Sequence, residues 1–205
     1  MSNSSHHKID ILIILCEDAD TFVLFEGGSM FATIEAFYEG ALPLTEAFNR
    51  SSIQPLEPLV RADHICYKCG SHEEFEHLRR LFETASPYLF QSTISDRLIA
   101  IIKLPQPILT VFGKIWFLEL SDQKPDGSQM SGFDHIEIYP LLRTIKGNPL
   151  TGTENLLGCL KICSVRFEKV VRPHHTTCDI QIENGFRIRI EEEPLIDKIK
   201  REEMK

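Results

Sequence analysis

The chain has 205 residues and a net charge of −8, with 42% hydrophobic and 25% charged residues. These values are typical of a globular domain that buries its own core, and the negative charge argues against general binding to nucleic acid or to an anionic membrane. Six cysteines are too few, in a chain of this length, to indicate a fold that is held together by disulfide bonds. The longest N-terminal apolar run, residues 11–16, is too short to span a bilayer, and no clear signal-peptide cleavage site follows it. We therefore expect a cytoplasmic protein with reduced cysteines, acting as a monomer or a homodimer.

Residues 1–58 are predicted to form an extension followed by a helical segment. Apolar residues recur at helical spacing after Ser29, which is the predicted N-cap. Gly40 and Pro43 predict that this segment is divided into two short helices, because both residues disfavour a helix interior. The pattern shows no acid–base or ligand constellation in this part of the sequence.

Residues 59–121 predict a first module with the order strand, helix, strand, strand, strand. Its first strand carries His64, and Glu119 lies near the end of its last strand. Cys66 and Cys69 form a C-x-x-C motif within the first strand. At this spacing the two thiols of a strand point to opposite faces, so we expect structural cysteines rather than a zinc or redox pair.

Residues 132–193 repeat this order as a second module, after a polar linker. The tripeptide Asp-His-Ile occurs at 63–65 and again at 134–136, on the first strand of each module. Asn-Gly at 184–185 indicates a hairpin between the last two strands. A closing helix is predicted at 194–205, so that residues 59–205 form one domain of two modules. We predict an α+β fold in which two paired βαβββ modules form a curved-sheet cleft, with an N-terminal helical extension.

Four side chains are expected to converge in that cleft. The first and fourth strands of such a module are parallel neighbours, and they present His64 with Glu119 in one copy and His135 with Glu191 in the other. Two histidines and two carboxylates in matching places favour a divalent metal site over unrelated structural residues. The donor set suits zinc, nickel, iron(II) or manganese and does not choose between them.

Other polar residues on the same strands leave alternatives open. Glu137 lies on the face of His135 and is interpreted as an outer partner, a catalytic base or a salt-bridge partner of Arg189. Arg187 and Arg189 either bind a substrate anion or pair across strands with acidic residues, and we favour the pairing.

These residues resemble the vicinal oxygen chelate superfamily, which includes glyoxalase I, extradiol dioxygenases and methylmalonyl-CoA epimerase. More closely, residues 36–203 are similar to the bacterial YecM-like proteins. The motifs that carry this resemblance are residues 62–65 with Cys69, 78–80, 117–120, 134–138 and 188–194. Glu191 departs from it, since YecM-like proteins have a histidine there, although a glutamate at this position is similar to glyoxalase I. The resemblance implies a metal-dependent enzyme.

The leading functional hypothesis is an enzyme of isomerase, epimerase or lyase type that acts on a small oxygenated molecule. The ion would bind two neighbouring substrate oxygens, and Glu119 or Glu191 would move a proton from an acidified carbon. An iron(II) ring-cleaving dioxygenase is one alternative, since that class uses two histidines and one carboxylate. A non-catalytic protein that sequesters a ligand in the cleft, as bleomycin-resistance relatives do, is another, and it predicts no bound ion.

Overall fold

The computed structural model describes residues 31–86, 88–94, 96–141, 156–158, 160–161, 165–171 and 176–203. Its α-helices are α1 (Ile34–Asn49), α2 (His72–Glu83) and α3 (Leu195–Glu203), and residues 156–158 and 160–161 are also helical. Gln54–Leu59 and Glu183–Gly185 form short 3-10 helices. Its strands are β1 (Val60–Lys68), β2 (Leu89–Ile94), β3 (Arg97–Thr110), β4 (Gly113–Ser121), β5 (Gly132–Pro140), β6 (Glu168–Val171), β7 (Thr176–Gln181) and β8 (Arg187–Ile190). None of the described helices is long and apolar enough to cross a membrane.

All eight strands belong to one open sheet with the order β2-β3-β4-β1-β5-β8-β7-β6. β1 is parallel to β4 and β5 is parallel to β8, and the other neighbouring strands are antiparallel. Each half of the sheet therefore has the strand order of a βαβββ module, and β1 and β5 join the two halves edge to edge. The predicted α+β fold of two paired modules is confirmed.

The N-terminal helical segment differs from the prediction. α1 is one continuous helix that includes Gly40 and Pro43, and the predicted division into two helices is wrong. Thr33 is the N-cap, because its Oγ1 accepts a hydrogen bond from the Ala36 N–H at 3.1 Å, while Ser29 lies outside the described residues. Buried side chains on both sides of the proline hold the helix to the sheet: Phe37, Ala41, Leu44, Ala47 and Phe48. Their burial offsets the backbone hydrogen bond that Pro43 cannot donate.

The two faces of the sheet are covered differently. α1 and α2 pack on one face, over a large core that includes Ile65, Leu118, Ile136 and Ile188 from the four central strands. α3 packs on the opposite face of the first module, where its Ile199 meets Ile99 and Ile101 of β3. This smaller cluster also contains Phe90, Phe117, Leu195 and Ile196. The closing helix thus covers the face on which the predicted ligands lie.

The turn between β7 and β8 has the backbone conformation that its sequence predicts. Asn184 and Gly185 have φ angles of 59° and 76°, which lie in the left-handed region. Asparagine and glycine adopt this region at low cost, and two such residues in succession fit the twist of a tight hairpin. The turn sets the register of β8, and hence the position of the arginines that β8 carries.

Candidate metal centre

Each copy of Asp-His-Ile forms a β-bulge where β1 meets β5. On β1 the register shifts between Ala62 and Ile65, so that Asp63 and His64 together oppose one residue of the partner strand. A bulge adds one residue to a strand and so turns two consecutive side chains towards the same face. Asp63 therefore lies beside His64 instead of on the opposite side of the sheet.

The second bulge is the counterpart of the first. The register shifts again between Cys66 and Tyr67, and here Asp134 is the extra residue on β5. Asp134 consequently lies beside His135. The two bulges are related by the antiparallel pairing of β1 and β5. Both histidines point away from the core that α1 and α2 cover.

The aspartates orient the two histidines. Nδ1 of His64 is 2.9 Å from Asp63 Oδ2, and Nδ1 of His135 is 2.8 Å from Asp134 Oδ2. A carboxylate only accepts, so each Nδ1 donates its hydrogen, and the neutral ring keeps its lone pair at Nε2. Carboxylates hold metal-binding histidines in this way. His64 is 0% exposed and His135 is 1% exposed, so both rings are fixed in the interior.

The surroundings of the two Nε2 atoms differ. Nε2 of His64 is buried and has no hydrogen-bond partner in the described part of the chain, and Glu119 Oε2 lies 3.5 Å from it. Nε2 of His135 accepts a hydrogen bond from Arg189 Nη1 at 3.1 Å. Glu137 lies on the other side of His64, with its Oε1 3.7 Å from Nδ1.

Two overlapping groups of donor atoms suit a metal ion. Ligand atoms of His64, His135 and Glu137 lie within 4.8 Å of one another, and so do those of Cys66, Asp134 and His135. Histidine nitrogen and carboxylate oxygen are ligands of zinc and of related divalent ions. A buried imidazole nitrogen with no partner is costly unless something binds it. The residues present therefore fit an ion at this place, which His64 Nε2 can bind directly and which His135 Nε2 would bind in exchange for its hydrogen bond to Arg189.

Of the predicted ligands, His64 and His135 share a donor group with Glu137, and Glu119 lies 3.5 Å from His64 Nε2. Glu191 follows β8 directly, and its N–H donates to Ile138 O at 3.0 Å. Glu119 and Glu191 are both outside the two donor groups found among the described residues. The register explains the position of Glu191. Glu119 is the partner of Cys66 in the first module, and Arg189 is the partner of Glu137 in the second. An arginine thus stands where the sequence pattern placed a matching carboxylate, and the full ligand set stays a prediction.

The arginine is paired with an acidic residue, as the sequence favoured. Nε and Nη2 of Arg189 each donate to a carboxylate oxygen of Asp179 at 3.0 Å. Such a two-point pair is strong and fixes the plane of the guanidinium group. Arg189 therefore holds its third contact, the hydrogen bond to His135, in a defined direction.

The two thiols of the C-x-x-C motif point to opposite faces, as predicted. Cys69 belongs to the core under α1 and α2. Cys66 faces the site, where its Sγ donates to Glu119 Oε1 at 3.3 Å. Burial, together with the neighbouring carboxylates, raises the pKa of the Cys66 thiol well above its usual value.

The pKa values of the two histidines are shifted in opposite directions. Burial alone would lower the pKa of His64, but Glu137 in its ionised form, together with Asp63 and Glu119, outweighs burial and raises this pKa well above 6.5. Burial lowers the pKa of His135 to about 4, and the nearby charge of Arg189 adds to this effect. His135 is thus neutral at physiological pH, as a metal ligand must be.

The two carboxylates also differ. Burial raises the pKa of Glu137 to about 8, and the neighbouring charges of Glu191, Asp63 and Glu119 add to this effect. Burial would likewise raise the pKa of Glu119, but the neighbouring His64 outweighs burial and holds this pKa far below 4.5. One site thus contains a carboxyl group that keeps its proton near neutral pH and another that is ionised.

Four residues of the site were not predicted as site residues from the sequence: Asp63, Cys66, Asp134 and Arg189. The duplication of the aspartate in both Asp-His-Ile copies is the signal that points to the first and third of them. The other two depend on the register of the strands, which the side-chain pattern does not give.

Comparison with known proteins agrees with the fold. A family model described as "YecM protein" matches residues 33–173. Protein YecM of Escherichia coli (strain K12) is 30% identical over 105 residues, which are 51% of this chain and 53% of that protein, so the match spans about half of the relative's length. A solved structure titled "Structural Genomics, Protein EC4020" superposes with a TM-score of 0.57 at 19% identity, covering 87% of this chain and 98% of that chain. At this identity the superposition shows a shared fold.

Proposed function

Because the chain belongs to the YecM protein family, we propose that it is a metal-dependent enzyme whose divalent ion is held between its two modules. His64, His135 and Glu119 would hold the ion. The substrate would be a small oxygenated molecule, and the reaction would be an isomerisation, an epimerisation or a lyase step. The resemblance to the vicinal oxygen chelate superfamily supports this reaction type.

The observation that carries the proposal is the hydrogen bonding and surroundings of the two ring nitrogens of His64. Asp63 fixes its Nδ1–H, and its Nε2 is buried and has no hydrogen-bond partner among the described residues. The ionised carboxylate of Glu119 lies 3.5 Å from this nitrogen. An imidazole nitrogen and a carboxylate oxygen at this distance suit a divalent ion between them, which would replace the proton on His64 Nε2.

A divalent ion at this place would polarise substrate oxygens and acidify a neighbouring carbon-bound proton. The protein's own groups divide the remaining work. Glu119 is ionised and supplies negative charge beside the histidines. Glu137 has a pKa of about 8, so it can give and accept a proton near neutral pH, and we assign it the proton transfer. Glu191 is close enough for its charge to raise the pKa of Glu137, and we propose it as a second proton carrier.

One observation favours a second candidate. His64, His135 and Glu137 form a donor group of two histidines and one carboxylate, which is the ligand set of many iron(II) oxygenases. Such an enzyme would consume oxygen when it is supplied with iron(II) and a catechol-like substrate. An isomerase or lyase would not, so oxygen uptake separates the two candidates.

The experiment that tests the metal centre is elemental analysis of protein purified without chelator. Wild type is expected to contain close to one divalent ion per chain, and His64→Ala is expected to lose most of it. His72→Ala is the matched control, because His72 is an exposed histidine whose Nδ1 is 2.8 Å from Asp122. An ion content that is equal in all three folded proteins, or absent from wild type even after incubation with metal, would refute the proposal.

A further inference from the structure

We infer that Cys66 is a sulfur ligand of the same ion, so that the centre selects a thiolate-binding metal such as zinc, iron(II) or cobalt(II) over manganese or magnesium. This inference rests on the proposed function and makes it more specific. It concerns a residue that the sequence pattern placed among ordinary structural cysteines.

The first argument is the place of Cys66 in the sheet. Cys66 pairs with Glu119 on one side and with His135 on the other. It is therefore the middle residue of a row across three neighbouring strands whose outer members are two proposed ligands. Side chains in such a row point to the same face, and neighbouring strands lie about 4.8 Å apart. An ion that is shared by Glu119 and His135 must lie above the strand between them, where the thiol points.

The second argument is the convergence of donors on one carboxylate. Glu119 accepts from Cys66 Sγ through Oε1 at 3.3 Å, and its Oε2 faces His64 Nε2 at 3.5 Å. That nitrogen is buried and without a hydrogen-bond partner in the described part of the chain. The thiol and the unpartnered imidazole nitrogen thus flank the same group. Ligand atoms of Cys66 and His135 also lie within 4.8 Å of each other.

Asp134 is the third member of the donor group that contains Cys66 and His135, but its carboxylate is already paired with two basic side chains. Its carboxylate is 2.7 Å from Lys68 Nζ and also accepts a hydrogen bond from Arg187. We therefore assign Asp134 to the orientation of His135 and Cys66 to the ion.

The third argument is the internal duplication. Cys66 follows the first Asp-His-Ile copy as Glu137 follows the second. Both residues therefore occupy the same place relative to a bulge and its histidine, and both face the site. The side chain at this place has a metal-binding atom in each module, although its chemistry differs.

Ligation changes the bonding of the thiol in a defined way. The S–H bond would break, Sγ would bind the ion, and the proton would be released to solvent water. A coordinated thiol is deprotonated, and metal binding by such sites releases protons. Thiolate is a soft ligand that favours zinc and iron over manganese and magnesium, which prefer oxygen.

The test uses the full chain, stripped with a chelator and then loaded with cobalt(II) as the probe. Wild type is expected to show the near-ultraviolet absorption of sulfur-to-cobalt charge transfer, and Cys66→Ser is expected to lose it. Cys69→Ser is the matched control, because Cys69 belongs to the same motif but points into the core on the other face. Zinc affinity of Cys66→Ser should fall by more than about tenfold, the least that loss of an outer-shell partner costs, while manganese affinity should change only a few-fold.

The outcomes separate this inference from the proposed function. If wild type binds one cobalt ion per chain without the charge-transfer band, or if the band survives in Cys66→Ser, Cys66 is not a ligand and the metal centre still stands. If wild type binds no cobalt, both proposals fail together. The spectrum of wild type decides the matter even if Cys66→Ser does not fold.

Discussion

Replacing Glu137 with glutamine is expected to stabilise the metal-free protein, by an amount that grows as the pH rises. Burial raises the pKa of Glu137 from 4.5 to about 8. Between these values the folded protein holds a proton that the unfolded chain has lost. Because the folded state then binds more protons, its stability falls with increasing pH. Glutamine has nearly the same shape and no charge, so Glu137→Gln removes this loss.

The size of the effect follows from the pKa. Each pH unit inside the window changes the free energy of unfolding by about 1.4 kcal/mol. At pH 7 the variant should therefore be more stable than wild type by roughly 3 kcal/mol, with little difference at pH 4.5 and no further growth above about pH 8. Glu137 is only 6% exposed, so solvent screens little of this effect.

The assay is urea denaturation in the presence of a chelator at several pH values between 5 and 8. Glu119→Gln is the matched control, because the pKa of Glu119 is lowered and its ionised form stabilises the fold. That variant should be less stable than wild type by an amount that is constant over this pH range, since the stability would be lost only at lower pH. A difference between Glu137→Gln and wild type that is the same at pH 5 and pH 8 would refute the reasoning.

Three further predictions concern packing, access and metal binding. Gly40→Ala should destabilise the protein by about 1–3 kcal/mol through overpacking, because a Cβ at this position would lie 2.7 Å from Phe31 Cζ. Gly158→Ala is the control and should not destabilise the protein, because a Cβ there would meet open space. Urea denaturation measures the stability of both variants. Ile199→Ala should speed the removal of the ion by a chelator more than tenfold, because the substitution weakens the packing of α3 on the sheet by about 2 kcal/mol or more. A stopped-flow trace equal to that of wild type would count against this prediction. Zinc affinity should keep rising above pH 7 in competition titrations, because His64 has a raised pKa and must lose its proton to bind; a plateau from pH 7 onward would contradict this.

Much of the fold follows from local sequence features. The duplicated Asp-His-Ile, the alternation of apolar residues and the Asn-Gly turn predict the strands, their order and the face that carries His64 and His135. Each of these features depends only on residues that are close together in the chain. The continuity of α1 was not predictable in this way. Pro43 is tolerated because distant side chains pack around it, and tertiary contacts of this kind override local propensity.

The composition of the site was harder to predict than its location. Strict alternation places Asp63 opposite His64, and only the bulge brings them together. Likewise, Arg189 on β8 and Glu191 just after it are two residues apart, so the side-chain pattern allows either to face the site. The pairing of β8 with β5 places Arg189 beside His135, and this register depends on two strands that are about 50 residues apart in the sequence.

The pairing of β1 with β5 joins two modules whose equivalent positions carry different residues. In a homodimer of one module, two-fold symmetry would make the residues on the two sides of such an interface identical. Here the two halves are covalently joined, and equivalent positions have diverged: Cys66 corresponds to Glu137, and Glu119 corresponds to Arg189. One side of the centre therefore carries a thiol and a carboxylate, and the other carries a carboxyl group and a guanidinium group. Two unlike sides can hold an unsymmetrical molecule in one orientation, whereas two identical sides would hold it in either.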